Sequence, residues 1–245
     1  MLVKMYRAAQ QWNQWVAQPQ GRCVLNAEKI FLQKALATFY GKHGMLIGVP
    51  AQGELLQASV AAQQTVLTPL INKNSTVETI ESDFTELPVA TGSVNLVFLP
   101  HLLEYVDNPR QLLTEACRIV KPEGHIVILG FNPHSGWGLK KILSRKKGAP
   151  WKNYFIQHAT LKKWLKLLDF ELAAQDFLMY GMPMDRYRSN RFIEWIGHTF
   201  IRPLGGIYVL IAQAKTSPLT PIRLRWKQSF SNIRISIPRH SMRKF

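Results

Sequence analysis

Four short stretches carry the residue types that can do chemistry. In "FNPHSGWG", Phe131 to Gly138, a histidine stands among Asn132, Ser135 and Trp137. Histidine titrates near neutral pH, so His134 can take a proton from an attacking hydroxyl or amine; the alternative is that Pro133 and His134 only shape the loop. In "PHLLEY", His101 is a second candidate base, or else a satisfied interior or rim histidine, and Glu104 is a polar contact or a helix-start stabiliser. In "SDF", Asp83 can accept a hydrogen bond from a ligand or cap a turn. In "LIGVPAQGELL", Gly48 and Gly53 would let the backbone approach a ligand closely. Cys23 and Cys117 lie far apart with no Cys/His cluster, which argues against a zinc site or a disulfide framework.

These stretches fall at the ends of apolar runs, which is where an α/β enzyme puts its site. "MLIGVP" reads as a buried strand, "TVLTPL" as a second, "TVETIES" as a third and "VNLVFLP" as a fourth. "HIVILGF" is a fifth, and "ELAAQDFLMY" and "GGIYVLIAQAK" are two last strands with the helix "RFIEWIGHTF" between them. Helices intervene. "LNAEKIFLQKALATFYGKHG" is amphipathic, with Asn26 as its N-cap and Gly41 beyond its end. "ELLQASVAAQQ" follows, then a helix opened by Asn108-Pro109 and closed at Gly124, and then "TLKKWLKLLDF" capped by Thr160. Alternating strand and helix predicts a doubly wound, mostly parallel sheet, and the last two strands predict a terminal antiparallel pairing. A ligand in such a sheet sits outside the carboxyl ends of the strands, near the point where strand order reverses. A dinucleotide reading fails: it needs G-x-G-x-x-G and an acid about twenty residues on, and neither is present.

Charge is unevenly spread over the 245 residues, whose net charge is +16. Residues 51–130 carry 4 Lys and Arg against 9 Asp and Glu, whereas residues 131–245 carry 21 against 5. The run "KKILSRKKGAPWKNY" places Lys140, Lys141, Arg145, Lys146, Lys147 and Lys152 beside Trp151 and Tyr154. Basic residues interleaved with aromatics suit RNA or an anionic lipid surface, and a solvated basic face is the bland alternative. The start lacks the apolar run and cleavage site of a signal peptide, and Glu194, Arg202 and Pro203 interrupt the most apolar late stretch. The expected location is therefore the cytoplasm.

The stretch "SDFTELPVATGSVNLVFLPHLLEYVDNPRQLLTEACRIVKPEGHIVILGFN", Ser82 to Asn132, resembles class I S-adenosylmethionine-dependent methyltransferases. The similarity is to the type 11 family, which includes ubiquinone- and menaquinone-biosynthesis enzymes. Asp83, Leu87-Pro88, "SVNLV", Leu103-Glu104-Tyr105, Pro109 and "VKPEG" stand in that family's order. A small bacterial subgroup also has a "FNP-H-S-x-W-G" element and a closing strand similar to "LGGIYVLIAQAK". The resemblance implies a Rossmann-like seven-stranded methyltransferase sheet ending in an antiparallel strand, with S-adenosyl-L-methionine as cofactor. It implies cofactor contacts at Gly48, Gly53, Asp83, Phe84, Pro100 and His101, and catalytic roles for His134 and His101. Prolines, seven Lys or Arg and little periodicity mark residues 217–245 as a basic tail, and the expected division of the rest is a helical extension over residues 1–25 and a methyltransferase-like domain over 26–216.

The glycine loop departs from that family. Aligning on Gly53 puts Ile47 at the acidic position and Val49 and Ala51 at two glycines. The other register makes Gly48 the first glycine and puts Pro50 at the second. Neither keeps an acid, "VLTPLINKN" offers none after the second strand, and Asn95 replaces the family's Asp in "SVNLV". Two functions follow. One is a methyltransferase acting on a small molecule, lipid or RNA. The other is an inactive methyltransferase-fold protein that binds RNA, a membrane surface or an acidic protein through residues 140–152 and 217–245.

Overall fold

Successive apolar residues in the central strands point to opposite faces, so the sheet needs cover on both. The computed structural model describes residues 2–37, 39, 41–70, 77–143, 154–181 and 202–215. Seven strands form one sheet: β1 (His43–Ile47), β2 (Gln63–Thr68), β3 (Glu78–Glu81), β4 (Val94–Pro100), β5 (Val120–Phe131), β6 (Phe170–Leu178) and β7 (Ile207–Ala214). Their order is β3-β2-β1-β4-β5-β7-β6. β1 to β5 run parallel, and β7 lies antiparallel between β5 and β6. This is the Rossmann-like methyltransferase sheet expected, with its antiparallel end.

Leu46, Phe98, Leu129 and Val209 face one core layer, under helices α1 (Leu2–Ala17) and α2 (Pro19–Ala35). Their neighbours Ile47, Val97, Ile128 and Leu210 face the other, under α3 (Pro109–Ile119) and α5 (His158–Leu167). Between these comes α4 (Gly136–Leu143), after β5. Order reverses between β1 and β4, so their carboxyl ends open the crevice that such sheets offer a ligand.

Several boundaries differ from expectation. α2 begins at Pro19, whose fixed φ suits the first helical turn, so Asn26 lies inside the helix and the helix runs unbroken past residue 25. Its cap is Leu36, well before Gly41. Residues 50–58 form a 3₁₀ segment started by Pro50, in place of the α-helix expected over 54–64. α3 stops at Ile119, five residues before Gly124, because the chain turns straight into β5: Val120 pairs with Val94, and the register then shifts. Glu123 takes the left-handed conformation at that turn, φ 64°. Gln157 rather than Thr160 caps α5. Asn108 caps α3 as expected, its Oδ1 accepting from Gln111 N. The expected helix at 191–200, most of the basic run and the basic tail lie outside the described residues.

Candidate cofactor and active site

At the end of β3, Asp83 Oδ1 accepts from Thr85 N at 3.2 Å and from Thr85 Oγ1 at 2.6 Å. The Thr85 hydroxyl holds the carboxyl below its usual range, so Asp83 is an anion at neutral pH. Phe84 packs beside it, 3% exposed. The two residues line a cleft of about 170 Å³ with Met5, Asn108, Gln111 and Leu112. An apolar floor with a few converging polar groups is the build of a small-molecule site, but ligand pockets usually span about 300–1,000 Å³. This cleft has room for one end of such a ligand.

The reversal point beside it is closed. Ile47, in the acidic position of one register, is fully buried in the core. Gln52 is 1% exposed and bridges the two strand ends: Val49 N donates to its Oε1 at 3.4 Å, and its Nε2 donates to Pro100 O at 3.1 Å. A Cβ on Gly48 would stand 3.0 Å from Gln52 Oε1 and 3.2 Å from Leu46 Cδ2. The space that a bare glycine leaves is thus taken by the protein itself. Helix α1 lies over the loop, with Asn13 Oδ1 accepting from Ala51 N at 2.9 Å. At Gly53 a Cβ would meet only Val66 Cγ2, at 3.6 Å.

Behind Pro100, His101 adopts φ 54° and is 1% exposed. Its Nε2 is 2.6 Å from Glu28 Oε1 and its Nδ1 is 3.4 Å from Glu104 Oε2. The rings of Phe131 and Trp12 pack against it at 4.3 and 5.3 Å. Burial alone would lower the imidazole pKa, but Glu28 and Glu104 outweigh it and lift it to about 9. Burial pushes Glu104 up, against the opposing pull of His101, of the Phe131 N–H that donates to its Oε1, and of Lys141. His101 is therefore an interior cation with both ring nitrogens engaged, in a position to hold β4 against α2 but not to meet a substrate.

The loop after β5 is tied down by Asn132, fully buried, whose Nδ2 donates to Pro203 O at 2.7 Å and Gly205 O at 3.0 Å. Its Oδ1 accepts from His134 N. Ser135 Oγ accepts from Trp137 N and Gly138 N, satisfying the first turn of α4. His134 is exposed at the tip, its Nε2 3.1 Å from Gln157 Nε2. The structure thus assembles Asp83 with Phe84, and Gly48 with Pro100, while His134 and His101 engage different partners.

Glu28 and Gln52 are the residues that reading the sequence missed. Glu28 had a signal: it stands on the buried stripe Val24-Glu28-Leu32 of α2, where a carboxylate needs a buried partner. Gln52 had none.

Comparison with known proteins agrees with this architecture. The methyltransferase domain family matches residues 36–128. The chain is 27% identical over 227 residues to the uncharacterized protein YafS of Escherichia coli K12, covering 91% of this chain and 89% of that one. Among solved structures, a Thermotoga maritima S-adenosylmethionine-dependent methyltransferase, a possible histamine N-methyltransferase, superposes with a TM-score of 0.60 at 17% identity, covering 88% and 100%. The N-methyltransferase NodS of Bradyrhizobium japonicum, in complex with S-adenosyl-L-homocysteine, does so at 0.58 and 11%, covering 87% and 100%. Residues 36–128 accordingly resemble the methyltransferase domain family, and the whole sheet has the fold of the S-adenosylmethionine-dependent methyltransferases.

Proposed function

We propose that the protein is an S-adenosylmethionine-dependent methyltransferase acting on a small molecule, a lipid or RNA. The observation that carries this reading is the cleft at the end of β3, where an anionic Asp83 and the buried Phe84 stand at the carboxyl edge of the sheet. When bound, the cofactor supplies a methyl group already activated on sulfur. Asp83 would accept from the exocyclic amino group of the base, and Phe84 would pack on its ring. His134, exposed on a loop pinned by Asn132, would take a proton from an incoming hydroxyl or amine.

The fit is confined to the base end. At the reversal point Gln52 fills the crevice, so no transfer step is assigned to the residues there. That closure favours a second reading: a methyltransferase-fold protein without turnover. Calorimetric titration with S-adenosylmethionine and S-adenosylhomocysteine separates the two. Measurable binding that weakens about tenfold in Asp83→Ala, the loss of one charge-assisted hydrogen bond, supports the first. No heat with either ligand at millimolar concentration, from a folded protein, leaves the second.

A further inference from the structure

Helix α4 wears its apolar side outward. Trp137 is fully buried, stacked on Phe131 at 4.9 Å, and Gly138 is pressed so close to the loop that a Cβ would overlap Pro133 O. Those two residues set the inward face. Leu139, Ile142 and Leu143, spaced i, i+3 and i+4 and hence forming one stripe, are 52%, 81% and 73% exposed. Tyr154 stands close by at 80%, its ring 5.8 Å from the Lys141 ammonium. Of the 11 large apolar residues exposed among the described ones, the three most exposed are Ile142, Tyr154 and Leu143. They are gathered in one place rather than scattered, and a gathered apolar patch marks an interaction surface.

We propose that α4 docks the protein onto an anionic lipid surface. Leu139, Ile142 and Leu143 would enter the boundary between headgroups and acyl chains, and Tyr154 would lie at headgroup level, where its ring is apolar and its hydroxyl wet. Charge complements this arrangement: α4 holds two lysines and no acid, and residues 140–152 hold six Lys or Arg and no Asp or Glu. Such a run is attracted to anionic lipids and repels a second copy of itself. Three of the four exposed side chains are aliphatic and offer nucleobases no stacking platform, and the single ring, Tyr154, lies at the edge of that stripe, an arrangement that favours lipid over RNA. Among the described residues no helix is long and apolar enough to cross a membrane, so the contact is with the surface. The proposal is independent of whether the cofactor binds.

The test is co-sedimentation of the full chain with vesicles of phosphatidylcholine alone or mixed with phosphatidylglycerol. The expected result is binding to the mixed vesicles that falls with salt, and little binding to phosphatidylcholine alone. The variant Ile142→Ser with Leu143→Ser should bind the mixed vesicles at least about tenfold more weakly. Its thermal midpoint should not change, because both side chains lie in solvent. The control Leu167→Ser, on α5 and 70% exposed, should bind like the parent. Absence of vesicle binding at low salt overturns the proposal, as does full binding by the double serine variant. So does a wild-type dimer in light scattering that the serines split while vesicles go unbound, or retention by RNA alone.

Discussion

The buried Glu28–His101 pair makes the sharpest prediction about what holds the two halves of this edge together. Glu28→Leu removes the 2.6 Å partner and leaves an imidazolium, 1% exposed, facing only Glu104 at 3.4 Å. Removing one member of a buried pair typically costs about 3–5 kcal/mol, because the orphaned charge is worse than none. In a domain of this size each kcal/mol moves the midpoint by about 2–4 °C, so a drop of about 10 °C is expected. The pH dependence follows with a definite sign. Folding lifts the His101 pKa from 6.5 to about 9, the two carboxylates outweighing burial. The folded state keeps a proton that the unfolded chain releases above 6.5, so the stabilisation is complete below 6.5 and is lost as pH rises through about 9. Over that window the wild type should lose about 3 kcal/mol, at about 1.4 kcal/mol per pH unit. The Glu28→Leu variant should be flatter over the same range. Glu28→Gln, which keeps a neutral acceptor within reach of His101 Nε2, should cost less than Glu28→Leu. Urea unfolding followed by circular dichroism from pH 6 to pH 9 measures all of this. A single-variant cost under about 1 kcal/mol, with flat wild-type stability, would refute the argument.

Three further outcomes are expected. Tyr105→Phe should stabilise the fold by about 1 kcal/mol in urea unfolding, because the Tyr105 hydroxyl is buried with no hydrogen-bond partner among the described residues; a loss of stability would reveal one. Gly206→Ala should cost about 1–3 kcal/mol and alter near-ultraviolet circular dichroism, because its Cβ would stand 2.4 Å from Trp137 Cδ1 in a packed core. Gln52→Ala should tighten binding of S-adenosylhomocysteine several-fold in calorimetry while lowering the thermal midpoint, since it removes the amide that bridges Val49 and Pro100; unchanged affinity would show that Gln52 does not block the cofactor.

The strands were legible because their signal is local. "VNLVFLP" and "HIVILGF" are near-continuous apolar runs, and their shortness and β-branched content mark them as strands buried on both faces rather than buried helix. Helix ends were less so, because the choice is made by neighbours. Asn26 has the chemistry of a cap, yet Pro19 upstream nucleates the helix first and the apolar stripe carries it through. Gly124 has the chemistry of a helix stop, yet α3 has already ended five residues earlier, where Val120 finds a pairing partner in Val94.

The site divides along the same line. The place of Asp83 at the end of β3 was readable because it follows from strand order, and its charge because it follows from the residue type; both survive folding. What stands at the reversal point was not readable, because it is decided by how long side chains turn. Gln52 looks from sequence like an ordinary polar loop residue, and only its two hydrogen bonds, to Val49 and Pro100, make it a plug. His101 looks like a candidate base until Glu28, 73 positions away, takes one ring nitrogen and Glu104 takes the other. Trp12 then packs on the pair from α1, and Asn13 holds that helix to the loop. The missing glycines and the missing acid are thus matched by internal partners for the groups left behind. A loop that had merely lost its ligand would leave its own polar groups unsatisfied, whereas Gln52, His101 and Glu104 are all engaged. Beside them the buried Trp12 Nε1 and Tyr105 hydroxyl have no hydrogen-bond partner among the described residues, so bonds close the loop itself and ring packing seals the layer against it.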